Sequence, residues 1–226
     1  MTDIAANINA IRDQIGPGIK LVAVSKTKPV RDILEAYDAG QRLFGENRVQ
    51  ELLNKKDHVP WDVEWHLIGH LQTNKVRFVV PFVSMIQSVD SVKLLTAVNN
   101  EALKINRIVN CLLQIHIATE ETKYGFSMDE LTEAASTELF DQLTQVRICG
   151  VMGMATFTDD QQVVRAEFRY LKQCFESLRE TFFQTNLHFR EISMGMSGDY
   201  RIAAEEGSTM VRIGSMVFGE RTKQKE

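Results

Sequence analysis

No apolar run in this sequence is long enough to span a bilayer. The opening residues, Met1-Thr2-Asp3-Ile4-Ala5-Ala6-Asn7-Ile8, lack the charged-then-apolar pattern of a secretory signal. Cys-x-x-Cys spacing is also missing. Cys111 and Cys149 fall in apolar strand-like runs and Cys174 on a helical face, so all three read as buried reduced thiols and suggest a cytosolic home. No basic run precedes the last few residues and the net charge is −4, so nucleic acid is not an expected partner. The terminal Arg221-Thr222-Lys223-Gln224-Lys225-Glu226 reads as a frayed, solvated tail. No linker or low-complexity stretch divides the 226 residues, so 1–226 is read as one domain. That length, with 44% apolar and 25% charged residues, suits an ordinary globular chain with a large core.

What is present is an alternation of short apolar runs with helical patterns. Strand-like runs fall at Ile19–Ser25, Arg42–Gly45, Trp65–Gly69, Met85–Val89, Arg107–Ile117 (the longest), Val146–Met152, His188–Ile192 and Met210–Ile213. Between them lie helical patterns, among them a short one at Asn74–Val80. Ser127 with Glu130 forms a capping-box pattern. A long stripe of Val164, Phe168, Leu171, Phe175, Leu178 and Phe182 reads as core packing. An extra helix is expected over Asp3–Gln14. Eight such units predict an α/β fold, a single (β/α)8 TIM-type barrel with an additional N-terminal helix; a doubly wound open sheet is the alternative.

Three places could carry chemistry. Lys26 ends the first strand, in Ala23-Val24-Ser25-Lys26-Thr27-Lys28-Pro29. Active sites of βα units are built at that end, and a desolvated amine there can form a Schiff base with an aldehyde. A strand-end lysine that snorkels to water is the other reading. After the seventh strand comes Ser193-Met194-Gly195-Met196-Ser197-Gly198-Asp199, and after the eighth Gly214-Ser215. Small residues at such turns let backbone N–H groups converge on an anion, although for either segment alone a plain turn is the favoured reading. A phosphate site and a lysine on one barrel mouth suggest a phosphorylated aldehyde, and pyridoxal phosphate has both groups. If the eighth strand alternates, Met210, Arg212 and Gly214 share one face. Arg212 could then donate to the pyridine nitrogen and keep it unprotonated; the other reading is an ion pair at the rim. Glu46, Asn47, His66, His70, Gln72, Asn74, Ser88 and Asp90 also lie near strand ends. His66 and His70 would suit a metal only on a continuous helix, which Gly69 argues against, so no metal is expected.

With these residues in view, the chain resembles the pyridoxal phosphate homeostasis protein family. The likeness rests on the segment around Lys26, on Phe44-Gly45-Glu46-Asn47-Arg48-Val49-Gln50-Glu51, and on Trp65-His66-Leu67-Ile68-Gly69-His70-Leu71-Gln72-Thr73-Asn74-Lys75. Gly150-Val151-Met152-Gly153-Met154, the Ser193–Asp199 segment and Val211-Arg212-Ile213-Gly214 extend it over nearly the whole chain, in the family's order. The resemblance implies a barrel like the N-terminal domain of bacterial alanine racemase. It implies pyridoxal phosphate held on Lys26 as an internal aldimine, with Asn47 near its ring and Arg212 facing its pyridine nitrogen. It places the phosphate around Ser193, Met194, Ser197, Arg212 and Gly214. It further implies a non-catalytic role in vitamin B6 and amino-acid balance, with apo pyridoxal phosphate enzymes as expected partners.

The alternative is a racemase-like enzyme. Racemization needs acid/base groups on both faces of the substrate α-carbon. Related racemases take the second from another domain, which a chain ending just after the eighth strand is expected to lack. Tyr124 or Tyr200 would have to serve instead. A third reading is a barrel enzyme acting on a phosphorylated sugar or aldehyde through a transient Lys26 Schiff base. A cytoplasmic monomer is expected, with stability that depends little on the cofactor.

Overall fold

The computed structural model describes residues 2–120, 124–137 and 139–220, so the tail at 221–226 lies outside it. The chain opens with α1 (Ile4–Ile15), whose N-cap Asp3 accepts from the Ala6 N–H at 2.9 Å. Ile4, Ile8, Ile11 and Ile15 make its buried stripe, spaced by three and four as an amphipathic helix requires.

Eight strands among the described residues then close in sequence order, every pair parallel. They are β1 (Lys20–Val24), β2 (Leu43–Glu46), β3 (Glu64–Leu67), β4 (Met85–Val89), β5 (Val109–Gln114), β6 (Val146–Met152), β7 (Glu191–Ser193) and β8 (Met210–Ile213). Pairing of Lys20 with Met210 through Ala23 with Ile213 seals the ring. Parallel neighbours require crossovers, and helices supply them. These are α2 (Val30–Asp38), α3 (Val49–Lys56), α4 (Val76–Val79) behind a 3-10 turn, α5 (Val92–Lys104), α6 (Met128–Ser136), α7 (Leu139–Gln142), α8 (Gln161–Thr181) and α9 (Tyr200–Glu205); α10 (Ser215–Phe218) follows β8. This is the TIM barrel expected from the alternation, with the extra helix in front.

Strand alternation divides the core into two layers. Val22, Met85, Leu112, Cys149, Met152 and Met210 fill the barrel interior. Leu21, Ala23, Val211 and Ile213 face outward to the helices, and the α8 stripe from Val164 to Leu178 packs in this same outer layer. Two register shifts break the alternation, one in β4–β5 between Ile86 and Val89 and one in β5–β6. The β5–β6 register shifts between Cys111 and Leu112, opposite Gly150, so Cys149 and Met152 both point inward although three residues apart. Gly150 has φ +146, and a Cβ there would lie 1.9 Å from the Glu191 carbonyl oxygen. All three cysteines are buried and free.

Some boundaries differ from the sequence pattern. The longest strand is β6 with 7 residues; β5 has 6. Arg107 is drawn off the ladder because its guanidinium donates to the Val80 and Val83 carbonyls, and at the other end Ile115, whose N–H still donates to the Met152 carbonyl at 2.8 Å, forms an isolated bridge to Phe126. β7 begins at Glu191 rather than His188, since Asn186 ties down the N–H groups of His188 and Phe189 in a turn. No helix among the described residues is long and apolar enough to cross a membrane.

Candidate functional site

The C-terminal ends of the strands surround a cavity of about 710 Å³. In a (β/α)8 barrel that end carries the chemistry. Lys26, Asn47, Ser197, Arg212 and Gly214, five of the seven residues singled out from the sequence, line this one space.

Lys26 sits, half-buried, in a tight turn leaving β1. The Lys28 N–H closes the turn on the Ser25 carbonyl at 3.0 Å. Thr27 occupies the third position with φ +65, the left-handed conformation that such a turn normally assigns to glycine. For a β-branched residue this costs on the order of 1–3 kcal/mol and persists only where the surroundings enforce it.

Asn47 follows β2, and its Oδ1 is buried without a hydrogen-bond partner. A ligand that donates at this wall would satisfy an acceptor that otherwise carries a desolvation penalty. The Asn47 backbone is set by Gly69, where a Cβ would fall 2.3 Å from the Asn47 carbonyl oxygen. Gly69→Ala is therefore expected to cost about 2 kcal/mol in chemical denaturation by overpacking. It should also weaken whatever binds beside Asn47; unchanged stability would mean that this contact is not the constraint. On the far side, Glu167 of α8 accepts from Thr156 N–H at 2.7 Å and Thr156 Oγ1 at 2.6 Å, fixing the wall formed by Met154 to Asp159. The Asp199 carboxylate likewise receives the Met196 N–H at 2.5 Å.

Arg212 points inward, as the β8 alternation required. Its Nη1 donates to Ser193 Oγ at 2.6 Å and its Nη2 to the Gly153 carbonyl at 2.9 Å. Burial pushes its pKa down to about 10, with Asp199 opposing, so it is a cation at neutral pH. An arginine can only donate, so the Ser193 hydroxyl must pass its own proton onward, to Gln87 Oε1 at 2.7 Å. The Gln87 amide N–H then faces His66 Nδ1 at 2.8 Å, which places the His66 proton on Nε2. Arg212 thus sets the polarity of a hydrogen-bonded chain through the barrel. Gln87 was not singled out from the sequence. A lone amide at an inward position of an apolar strand was the available signal.

Ser193 and Met194 are placed differently from the resemblance. Ser193 does not line the cavity, and its hydroxyl is committed to Arg212 and Gln87 beneath it. Met194 packs in the outer layer, and its N–H donates to the Met210 carbonyl at 3.1 Å. The segment offers its next residues instead, from Met196 to Asp199.

The two tyrosines also diverge. Tyr200 is 3% exposed and its hydroxyl bonds Gln14 of α1, so it belongs to the helix layer and not to the mouth. Tyr124 stacks on His70 with ring centroids 4.1 Å apart, and His70 Nδ1 pairs with Asp90 at 2.7 Å. Neither tyrosine lines the cavity. His66 lies in the interior at β3, while His70 lies beyond the strand. Among the described residues, no group of three or more His, Cys, Asp or Glu could hold a metal ion.

A closed parallel barrel with this mouth defines a class, and the sequence profile of the alanine racemase N-terminal domain matches residues 1–222. The chain belongs to the pyridoxal phosphate homeostasis protein family. It is 38% identical over 203 residues to the pyridoxal phosphate homeostasis protein of Aquifex aeolicus, covering 89% of this chain and 87% of that one. With the protein of that name from Escherichia coli K12 it shares 37% identity over 243 residues, spanning 100% of both. PipY of Synechococcus elongatus, solved with pyridoxal phosphate bound, superposes with a TM-score of 0.87 at 36% identity, over 96% of this chain and 100% of PipY. A Clostridium difficile alanine racemase shares the fold at 12% identity, with a TM-score of 0.77 over 98% of this chain and 58% of the racemase.

Proposed function

We propose that this protein binds pyridoxal phosphate in the barrel mouth and takes part in vitamin B6 homeostasis as a carrier rather than a catalyst. The observation that carries the reading is the convergence of Lys26, Asn47, Ser197, Arg212 and Gly214 on one cavity. The residues fit the cofactor. Lys26 supplies an amine that condenses with an aldehyde, forming the C=N bond and releasing water. Asn47 brings an unsatisfied buried acceptor. Ser197 and the Gly214-Ser215 turn bring a hydroxyl and the N–H groups of a helix start for a phosphate. The approach is close at Gly214, where a Cβ would lie 3.0 Å from the Val24 carbonyl oxygen.

When bound, pyridoxal phosphate supplies an aldehyde and an electron-withdrawing ring. Arg212, cationic and pinned by Ser193 and Gly153, would donate to the pyridine nitrogen and leave it unprotonated, which weakens the ring as an electron sink. No histidine, cysteine or tyrosine lines the mouth among the described residues; the acid/base side chains that line it beside Lys26 are Lys28, Asp159 and Asp199, and the Asp199 carboxylate already holds the Met196 N–H. The same reading has a cytoplasmic monomer, with apo pyridoxal phosphate enzymes as recipients.

The test is the absorption spectrum of the pure protein after incubation with pyridoxal phosphate, followed by borohydride reduction and peptide mapping. A Schiff-base band with a pyridoxyl label on Lys26 is the expected result. No band removes the cofactor from the reading and returns the chain to a barrel acting on another phosphorylated aldehyde. Rapid racemization of a common L-amino acid would replace the carrier with an enzyme.

A further inference from the structure

Glu46, Glu51 and Lys55 do not line the cavity, yet all three converge beneath the turn that carries Lys26. Lys55 Nζ donates to the Ser25 carbonyl at 2.9 Å, to Glu46 Oε1 at 2.8 Å and to Glu51 Oε2 at 3.3 Å. Glu46 Oε1 also accepts the Ser25 hydroxyl at 2.7 Å, and Glu51 Oε2 accepts the Thr27 N–H at 2.7 Å. The flanks of Lys26 are therefore held by groups from β2 and α3. The residue between Lys26 and Lys28 is the one with the unfavourable positive φ.

We propose that Glu46, Glu51 and Lys55 are positioning residues that impose the left-handed Thr27 turn and so aim the Lys26 amine into the cavity. This rests on Lys26 being the attachment point for pyridoxal phosphate. Stability alone does not account for the cluster. Glu46 is fully buried, its Oε2 has no hydrogen-bond partner, and burial raises its pKa. Well-packed apolar residues often match or exceed a buried ion pair in stability. What apolar residues cannot do is bond the Ser25 carbonyl and hydroxyl and the Thr27 N–H together. A strained backbone persists when its surroundings over-determine it, and these contacts supply that constraint. Without them Thr27 relaxes to negative φ, which rotates the Cα–Cβ direction of Lys26 away from the mouth.

Full-length Glu51→Ala, Glu51→Gln, Thr27→Gly and the Thr27→Gly/Glu51→Ala pair test this. Schiff-base absorption is titrated with pyridoxal phosphate. Separately, ligand-free protein is reductively methylated with formaldehyde and cyanoborohydride across a pH series, and Lys26 modification is quantified by mass spectrometry. Glu51→Ala is expected to weaken pyridoxal phosphate binding about tenfold, the worth of one charge-assisted hydrogen bond, and to shift the Lys26 methylation profile. Glu51→Gln keeps an acceptor for the Thr27 N–H and should stay within about threefold of the native protein. Thr27→Gly removes the Cβ penalty and should restore most of the loss in the Glu51→Ala background. Native behaviour of Glu51→Ala in both assays overturns the proposal. So does an equal loss in Glu51→Gln that Thr27→Gly does not rescue. If the native protein forms no chromophore, the cofactor reading fails instead, and the methylation series decides the positioning role by the same criteria.

Discussion

Lys26→Ala is expected to abolish the Schiff-base band and to weaken pyridoxal phosphate binding on the order of a hundredfold, about 2.7 kcal/mol. The cavity walls, Arg212 and the turns carrying Ser197 and Gly214 survive the change, so residual noncovalent binding should persist. Ligand-free stability should hardly move, because Lys26 is half-buried in a turn and is not among the core residues. A peripheral substitution of this kind usually stays within about 0.5 kcal/mol, or about 2 °C in Tm for a chain of this length. The two readouts separate under saturation. Ligand at 100 times Kd adds about 2.7 kcal/mol, which should raise the native Tm by about 5–10 °C. At the same ligand concentration Lys26→Ala should show a far smaller rise. A large Tm loss in the ligand-free variant would mean that Lys26 holds the barrel together; an undiminished ligand shift would mean that it does not hold the cofactor.

His66 is expected to control stability in acid. It is buried at β3, takes a hydrogen bond on Nδ1 from Gln87, and its pKa is pushed down to about 3, first by burial and then by Lys20. The unfolded chain titrates histidine near the ordinary value of about 6.5. A group whose folded pKa is depressed contributes stability that is present above the unfolded pKa and lost as pH falls toward the folded one. The loss should therefore begin near pH 6.5 and grow down to about pH 3, reaching on the order of 5 kcal/mol. Protonation would also set a donor against the Gln87 N–H, and Gln87 cannot turn over without opposing the Ser193 hydroxyl that Arg212 has oriented. Glu46, with its pKa raised by burial, works in the other direction, since its contribution falls as pH rises. His66→Asn isolates the histidine by keeping a side-chain acceptor that does not titrate. Urea denaturation from pH 7.5 to 4.5 should give a steep loss in the native protein and a shallower one in the variant. Parallel curves would assign the acid sensitivity to other groups.

Much of this architecture was legible in local patterns. The bounds of β4, β6 and β8 coincide with their apolar runs, and the Ser127–Glu130 capping box is formed. The inward placement of Arg212 followed from strand alternation, and Lys26 lies where the first apolar run stops. These features depend on residues a few positions apart, and the backbone period carries them whatever the rest of the chain does. The lone inward Gln87 was as visible as Arg212 but had no meaning until its neighbours were known.

The sequence by itself determined the alternation of elements, the faces they bury and the end of each strand at which the polar residues gather. Only the tertiary structure decided how those residues are used. Ser193 and Arg212 are 19 positions apart and Ser193 and Gln87 are 106 apart, so their shared hydrogen bonds exist only once the ring has closed. The same closure withdrew Ser193 and Met194 from the mouth and turned Tyr200 toward Gln14, 186 positions away. It also set Lys55 beneath Ser25, 30 positions earlier. The physical reason is range: side-chain period and turn propensity act along the chain, whereas burial and hydrogen-bond satisfaction depend on which strands become neighbours.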